Sequence, residues 1–461
     1  VCADGRLLAG PSAPPPGAVP VADGADLPAL TQSSPAGSTF WIAPGVHTLG
    51  GGEFDQVIPK SDDHFIGAPG AVIDGQHLNK YAFTGMARGV IVEHLTIRNF
   101  GRPGDNNNEG VVNHDAGASW TLRYNTVTAN AGAGVFVGRA NTLSWNCLAR
   151  NGQYGFSAYR PDGVTNVVVD HNEIAGNNTD NWEKRQPGCG CTGGGKFWAT
   201  NGAKVTDNYV HDNRGAGLWA DTNNVGFLFS GNYIASNDSE GLFYEISYNA
   251  RIVDNTFVRN GIVAGPANPG FPTGAIYLSE SGSDSRVPGP YGAELLISAN
   301  TFTDNWDGVV LWENADRYCN SPANTSGGVC TLVDPSGQLA AGCTAAHIKQ
   351  QPYYSDCRWK TQNVRVSGNA FTFDPQRVGH GCAKATSCGQ NGIFSNFGTF
   401  PTWSPYKGVV VENAILRAQH NVFAANRYQG PWTFVAGNTG KVLSLANWQA
   451  QPIRQDTGSR G

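Results

Sequence analysis

Charge is scarce in this sequence. Asp, Glu, Lys and Arg make up 15% of its 461 residues, the net charge is −5 and the pI is near 6.1. With 40% hydrophobic residues, that balance describes a folded chain rather than a disordered one. The missing basic excess argues against a nucleic-acid partner, because phosphate binding needs a basic face. It argues only weakly against a polyanionic sugar, since a local patch can outvote the total. No run of 18 apolar residues occurs, so no membrane span is expected. Methionine is almost missing, Met86 being the single one. The chain opens at Val1 without an apolar leader, as expected of a mature, secreted product whose export signal has been removed.

What is abundant is glycine and a recurring asparagine. The 60 glycines are about twice the usual ~7% share, which suits a fold with several turns per unit. From Gly193 to Asn260 the same phrase recurs: glycine, an alternating strand, a polar turn, a second alternating strand, and an Asn corner. The corner pairs are Asn208/Asn213, Asn232/Asn237 and Asn255/Asn260, at intervals of 24 and then 23 residues. Such a period leaves room for two or three strands of about five residues and no helix; helical repeats need about 33, and no Leu-x-x-Leu-x-Leu frame is present. A coil of parallel strands remains. Further corners stand at Asn125/Asn130, Asn146/Asn151, Asn172/Asn177, Asn300/Asn305, Asn369 and Asn421/Asn426.

These corners resemble those of the right-handed parallel β-helix proteins of the pectin-lyase-like superfamily, over roughly residues 40–435. In that superfamily an asparagine at each corner stacks on the next, and many members are secreted carbohydrate-active proteins. The resemblance implies an all-β, single-stranded right-handed parallel β-helix solenoid with loop insertions, one of them disulfide-rich. The expected divisions are a Pro/Ala/Gly-rich extension over 1–36, surface-packed or loosely held, the β-helix over 37–435, and a cap and tail over 436–461. Insertions are expected at 178–194, 262–292 and 314–362. Asn suits a corner because it tolerates left-handed backbone and its amide both donates and accepts.

Ten cysteines fit an oxidising compartment. Close pairs such as Cys319/Cys330, Cys343/Cys357 and Cys382/Cys388 suit local disulfides, although spacing does not decide connectivity. Cys189 and Cys191 are read as bonding to distant cysteines such as Cys2 or Cys147. A zinc half-site lacks a partner pair at zinc spacing.

Candidate functional residues follow from parity, since alternate strand residues face opposite sides. Counting from Gly110, Gly134, Gly155, Gly194, Gly217 and Gly241, the first and third residues are mostly small or apolar and are assigned to the interior. The outward columns are then Val112, Phe136, Ser157, Lys196, Trp219, Phe243 and His114, Gly138, Tyr159, Trp198, Asp221, Glu245. Arg139 and Arg160 stand at the edge. Exposed aromatics beside charged groups favour a binding face, and flat rings with hydrogen-bonding charges suit a sugar chain.

Asp221 and Glu245 would lie on consecutive coils, about 4.8 Å apart in backbone. Two carboxylates at that range cannot both ionise freely, the arrangement a general acid and its partner need. We therefore expect a secreted polysaccharide-degrading enzyme, a glycoside hydrolase, with Asp221, Glu245 and Lys196 as catalytic residues. Trp198, Trp219, Tyr159, Arg160, Phe243, His114 and Arg139 would bind substrate. The partner is a polysaccharide or oligosaccharide, with no cofactor and no metal. Glu280 and Glu313 continue the acidic line in weaker register, and Glu183 and Arg185 could close over the groove.

Three competing readings are a structural salt-bridge cluster around Lys196, a lyase and a non-catalytic glycan-binding coil. In the lyase, Lys196 or His114 would take a proton beside a uronate carboxylate that Arg160 neutralises. The Asp-Pro-His-Glu motif of alginate epimerases is absent, and DNNNEG (105–110) misses the EF-hand calcium frame.

Overall fold

A computed structural model describes residues 1–102, 110–114, 117–160, 162–322, 324, 330, 338–396 and 400–461, with backbone alone at 110–114 and 338. The chain divides into two compact units, Val1–Trp219 with Asn232–Asp238 and Ala220–Gly231 with Ser239–Gly461.

Strands in the first unit are short because a corner follows every three or four residues. In Thr126–Thr128 only Val127 is buried, between two outward threonines, the period of two that a half-buried strand requires. Three parallel sheets result. Thr121–Arg123 pairs with Thr142–Ser144, Thr126–Thr128 with Cys147–Ala149, and Val135–Phe136 with Phe156–Ser157. Each coil thus contributes one strand to each sheet.

The corners are amide ladders. Asn125 Nδ2 donates to Asn146 Oδ1 at 3.0 Å, Asn146 to Asn172 at 2.9 Å, Asn172 to Asn208 at 3.1 Å and Asn208 to Asn232 at 2.9 Å. The left-handed residue is the one before each asparagine: Tyr124, Trp145, His171 and Asp207 have φ of 53–56°. The asparagine is therefore selected for its amide and not for left-handed backbone, contrary to expectation.

The N-terminal extension is ordered into this unit. Val19–Val21 pairs in parallel with Thr39–Ile42, the helix Leu27–Ser33 buries Leu27 completely, and Cys2 is disulfide-bonded to Cys147.

The second unit repeats the plan. Val225–Ser230 pairs with Tyr248–Val253, Thr256–Val258 with Thr301–Thr303, and Leu242–Glu245 with Gly274–Ser279, all in parallel. Phe257, Phe302, Phe371 and Tyr428 stack at centroid distances of 5.1, 4.4 and 4.9 Å along its interior. Its ladder runs Asn255 to Asn300 to Asn369 and then to Asn426, not Asn421. Asn421 Oδ1 instead accepts from Val364 N at 3.3 Å, so the last corner stands one step out of the expected register. The antiparallel strand Val442–Leu443 and the helix Leu445–Gln449 follow the last coils.

Candidate active site

In the first unit, Phe156 pairs with Gly195, Ser157 with Lys196 and Ala158 with Phe197. Phe197 is fully buried, so Lys196 and Trp198 point outward. The Lys196 ammonium stands 4.0 Å from the Trp219 ring centroid and donates to the Gly190 carbonyl, which also accepts from Tyr154 Oη at 3.1 Å. Gly190 has φ +58°, and a Cβ there would sit 2.8 Å from Trp219 Cη2, so the approach requires glycine.

Gly190 belongs to the 178–194 insertion, which folds onto this sheet. Trp182 is buried in a cluster with Phe136, Tyr154 and Cys191, leaving Phe136 only 6% exposed where an open column was expected. Cys189 and Cys191 bond to each other rather than to distant partners, because the extension carries Cys2 to Cys147. Both sulfurs are thus withdrawn from any zinc site. Glu183 accepts from Gly188 N at 2.6 Å and Arg185 lies over the Trp182 ring, so both serve the insertion's own fold.

Tyr159 remains 43% exposed, with the Trp198 ring 5.1 Å away. Arg160 and Arg139 share the Asp162 carboxylate at 2.9 and 3.3 Å; the Arg160 hydrogen bond is the main cause of that carboxyl's lowered pKa. For His114 the register differs from expectation. Gly110 pairs with Ala133 and Val112 with Val135, one residue away from the Gly110/Gly134 alignment, which takes His114 out of the Tyr159 and Trp198 column. The side chain of His114 and the run 105–109 lie outside the described residues.

In the second unit, Asn223 N donates to Ile246 O at 2.7 Å and Ile246 N to Ser279 O at 2.9 Å. The second bond accompanies the pairing of Glu245 with Ser279; the first, by the same offset, puts Asp221 level with Glu245. Ala220 and Tyr244 are fully buried, so both acids face outward. Asp221 Oδ1 accepts from Thr222 Oγ1 at 2.8 Å.

Sequence reasoning missed the partner of Glu245. Arg317 Nη1 donates to Glu245 Oε1 at 3.0 Å and to Glu280 Oε2 at 2.9 Å, with Arg317 and Glu245 side chains 15% and 13% exposed. Arg317 comes from the 314–362 insertion, and its one sequence cue is its place two residues before Cys319, which is bonded to Cys330.

Glu280 and Glu313 do not continue the acid column: Ser279 and Trp312 do. Both glutamates lie one residue further, completely buried. Glu280 accepts from Asn314 N at 2.6 Å, and Glu313 is paired with Arg358 and accepts from Gln419 Nε2 at 2.6 Å. Burial pushes the Glu245 carboxyl up to about 7; the Asp221 charge adds to the rise, Arg317 opposes it, and Glu280 reinforces it. The coulombic pull of Glu280 and Glu245 outweighs desolvation at Arg317 and raises its pKa, so the guanidinium stays charged.

The aromatic column of this unit is largely closed. Phe243 stacks on Tyr277 at 4.7 Å, while Phe271 from the 262–292 insertion meets Tyr277, Trp312 and Phe394 edge-on at 5.8, 5.5 and 5.3 Å. Phe243 therefore sits at the margin of a packed cluster. Away from the acids, in the first unit, Asp170, His171 and Asp207 bring one potential ligand atom each within 4.8 Å of one another. His171 Nδ1 and Asp170 Oδ2 are already paired at 2.7 Å.

The family model described as "Right handed beta helix region" matches residues 109–289. Among solved structures, the chain is similar to the catalytic domain of a GH87 α-1,3-glucanase in complex with tetrasaccharides. That likeness has 12% identity and a TM-score of 0.52, covering 98% of this chain and 70% of that one. It is also similar to the A-module of mannuronan C-5 epimerase AlgE6 of Azotobacter vinelandii, at 13% identity, 75% and 87% coverage and a TM-score of 0.47. A third is PfbA, a surface adhesin of Streptococcus pneumoniae, at 12% identity, 63% and 82% coverage and a TM-score of 0.40. No curated protein sequence matches. Identities this low establish the fold alone: a right-handed parallel β-helix.

Proposed function

We propose that this protein is an extracellular glycoside hydrolase in which Glu245 is the general acid and Asp221 the carboxylate that works with it. The observation that carries the reading is Glu245 itself. It faces outward, lies level with Asp221 on the neighbouring strand, and keeps its proton to about pH 7.

A protonated carboxyl at that position can pass its proton to the glycosidic oxygen as the bond to the anomeric carbon breaks. Asp221 opposes the positive charge that develops on the sugar, either by bonding to it or by taking a proton from the attacking water. Water supplies the hydroxyl of the new reducing end in both cases. Arg317, bonded to Glu245 and Glu280 at once, holds the acid's rotamer and keeps its pKa from rising further. Taken by itself, the first unit carries the exposed Tyr159 ring with the Trp198 ring beside it, an aromatic face of the kind that holds sugar rings. Five disulfide bonds are consistent with an oxidising, extracellular setting.

The test is product analysis on a panel of polysaccharides. Hydrolysis yields new reducing ends without unsaturated sugars, and Glu245→Gln and Asp221→Asn each remove the activity. Products absorbing in the ultraviolet, or full activity in both variants, would sink the proposal.

A further inference from the structure

The face that carries Glu245 is long in one direction only. The strand Leu242–Glu245 spans four residues between corners. The long axis of the face is therefore the direction in which the coils stack, and a polymer bound there runs from coil to coil. Along that axis the column of Glu245 continues in register through Ser279, Trp312, Phe394 and Gly437. Trp312 is partly exposed, whereas Phe394 and Gly437 are buried even though their place in the strand turns them outward. The neighbouring outward column is shut over the same coils, with Val310 and Val435 at 0% exposure.

The cover is tied down. Phe271 stands 5.3 Å from the Phe394 ring and 5.5 Å from the Trp312 ring. Its segment is held from behind: Thr386 Oγ1 donates to Pro269 O at 2.8 Å and Ser387 Oγ to Asn268 O at 3.4 Å. Both hydroxyls lie inside the loop that the Cys382–Cys388 disulfide closes. One coil further on, the helix Val410–Arg417 fills the space in front of Gly437, where a Cβ would sit 2.6 Å from Glu412 Oε1. Outward positions occupied in this way leave no place for a sugar ring. From Glu245 to Trp312 is two strand spacings of about 4.8 Å each, a length that takes roughly one or two sugar residues.

From this we infer that the substrate is the end of a glycan chain: the terminus rests on the exposed part of Trp312, stops at Phe271, and is cut off as a short piece at Glu245. The inference rests on the hydrolase reading above and adds to it where along the chain the cut falls.

The size of the first products tests it. Curdlan, xylan, mannan, galactan and polygalacturonate are incubated with the intact protein, and viscosity and product length are followed against the release of reducing ends. The expected products are mono- and disaccharides from the earliest time points. Viscosity should stay nearly flat as reducing ends accumulate, unlike in partial acid hydrolysis of the same polymer, which cuts at random. Phe271→Ala, with its fold checked by circular dichroism, removes the stop without touching the acids and should release longer fragments as well. Longer fragments from the parent protein at early times, with a steep loss of viscosity, would overturn the chain-end inference and leave the hydrolase reading standing. A folded Phe271→Ala with an unchanged product pattern would do the same. Unsaturated products, or cleavage of none of these polymers, would overturn both.

Discussion

The asparagine corners of the first unit and the acid face of the second each stack polar side chains from coil to coil, yet they solve opposite problems. An amide carries a donor and an acceptor, so Asn172 receives from Asn146 and gives to Asn208, and the stack is satisfied from within. A carboxylate only accepts. Asp221 beside Glu245 therefore requires a proton or a guanidinium from elsewhere in the chain, and the second unit uses both. Self-complementary groups can be buried to 0–1% exposure in unbroken rows, as Asn125, Asn146 and Asn172 are. Like-charged groups are left with residual repulsion, and at Glu245 that repulsion adds to the effect of burial in raising the carboxyl pKa.

The contrast can be broken most severely at the acids. Glu245→Gln and Asp221→Asn should each lower kcat by about 100-fold or more, the usual worth of a general acid or its partner, as measured by release of reducing ends, with the fold intact by circular dichroism.

At the corners the cost falls on stability. Asn172→Ala strands the Asn146 N donor, takes one of three acceptors from Asn146 Nδ2 and removes the donor to the Leu143 carbonyl, contacts that now measure 3.0, 2.9 and 2.7 Å. Losing these buried partners should cost about 3 kcal/mol or more, seen as a lower urea midpoint. Asn172→Asp should do worse above pH 5 than below it, since it places an acceptor-only group in the amide row.

A subtler test reverses the sign. Because the folded-state pKa of Glu245 is raised from 4.5 to about 7, its contribution to stability is fully present below about pH 4.5 and is lost as the pH rises through 7. The ionised group then costs about 3 kcal/mol by linkage. Glu245→Gln should accordingly be more stable than the parent at pH 8 and no more stable at pH 4, by thermal melts at both values. The smallest effect is expected from Arg317→Met. Removing the cation raises the Glu245 pKa, so the alkaline limb of kcat/KM should move up by about one pH unit; an unmoved limb would show that Arg317 does not act on the acid.

How much of this was legible beforehand depends on how local the cause is. The alternation that buries Phe197 and turns Lys196 and Trp198 outward was readable, because side-chain direction has a period of two and the glycine frame set its phase. Where the frame glycine was misplaced, at Gly110, the phase slipped by one residue and carried His114 with it. The closure of Phe136 by Trp182, and of the Tyr277 column by Phe271, was not readable. Each needs an irregular loop to fold back onto a sheet face.

By itself the sequence determined the coil, its amide corners and the outward direction of Asp221 and Glu245, since those follow from repeat length, pleat and the chemistry of a single side chain. Only the tertiary structure decided how far the Glu245 carboxyl is pushed up. That outcome depends on desolvation and on a guanidinium 72 residues along the chain from Glu245, and neither is written in any local pattern.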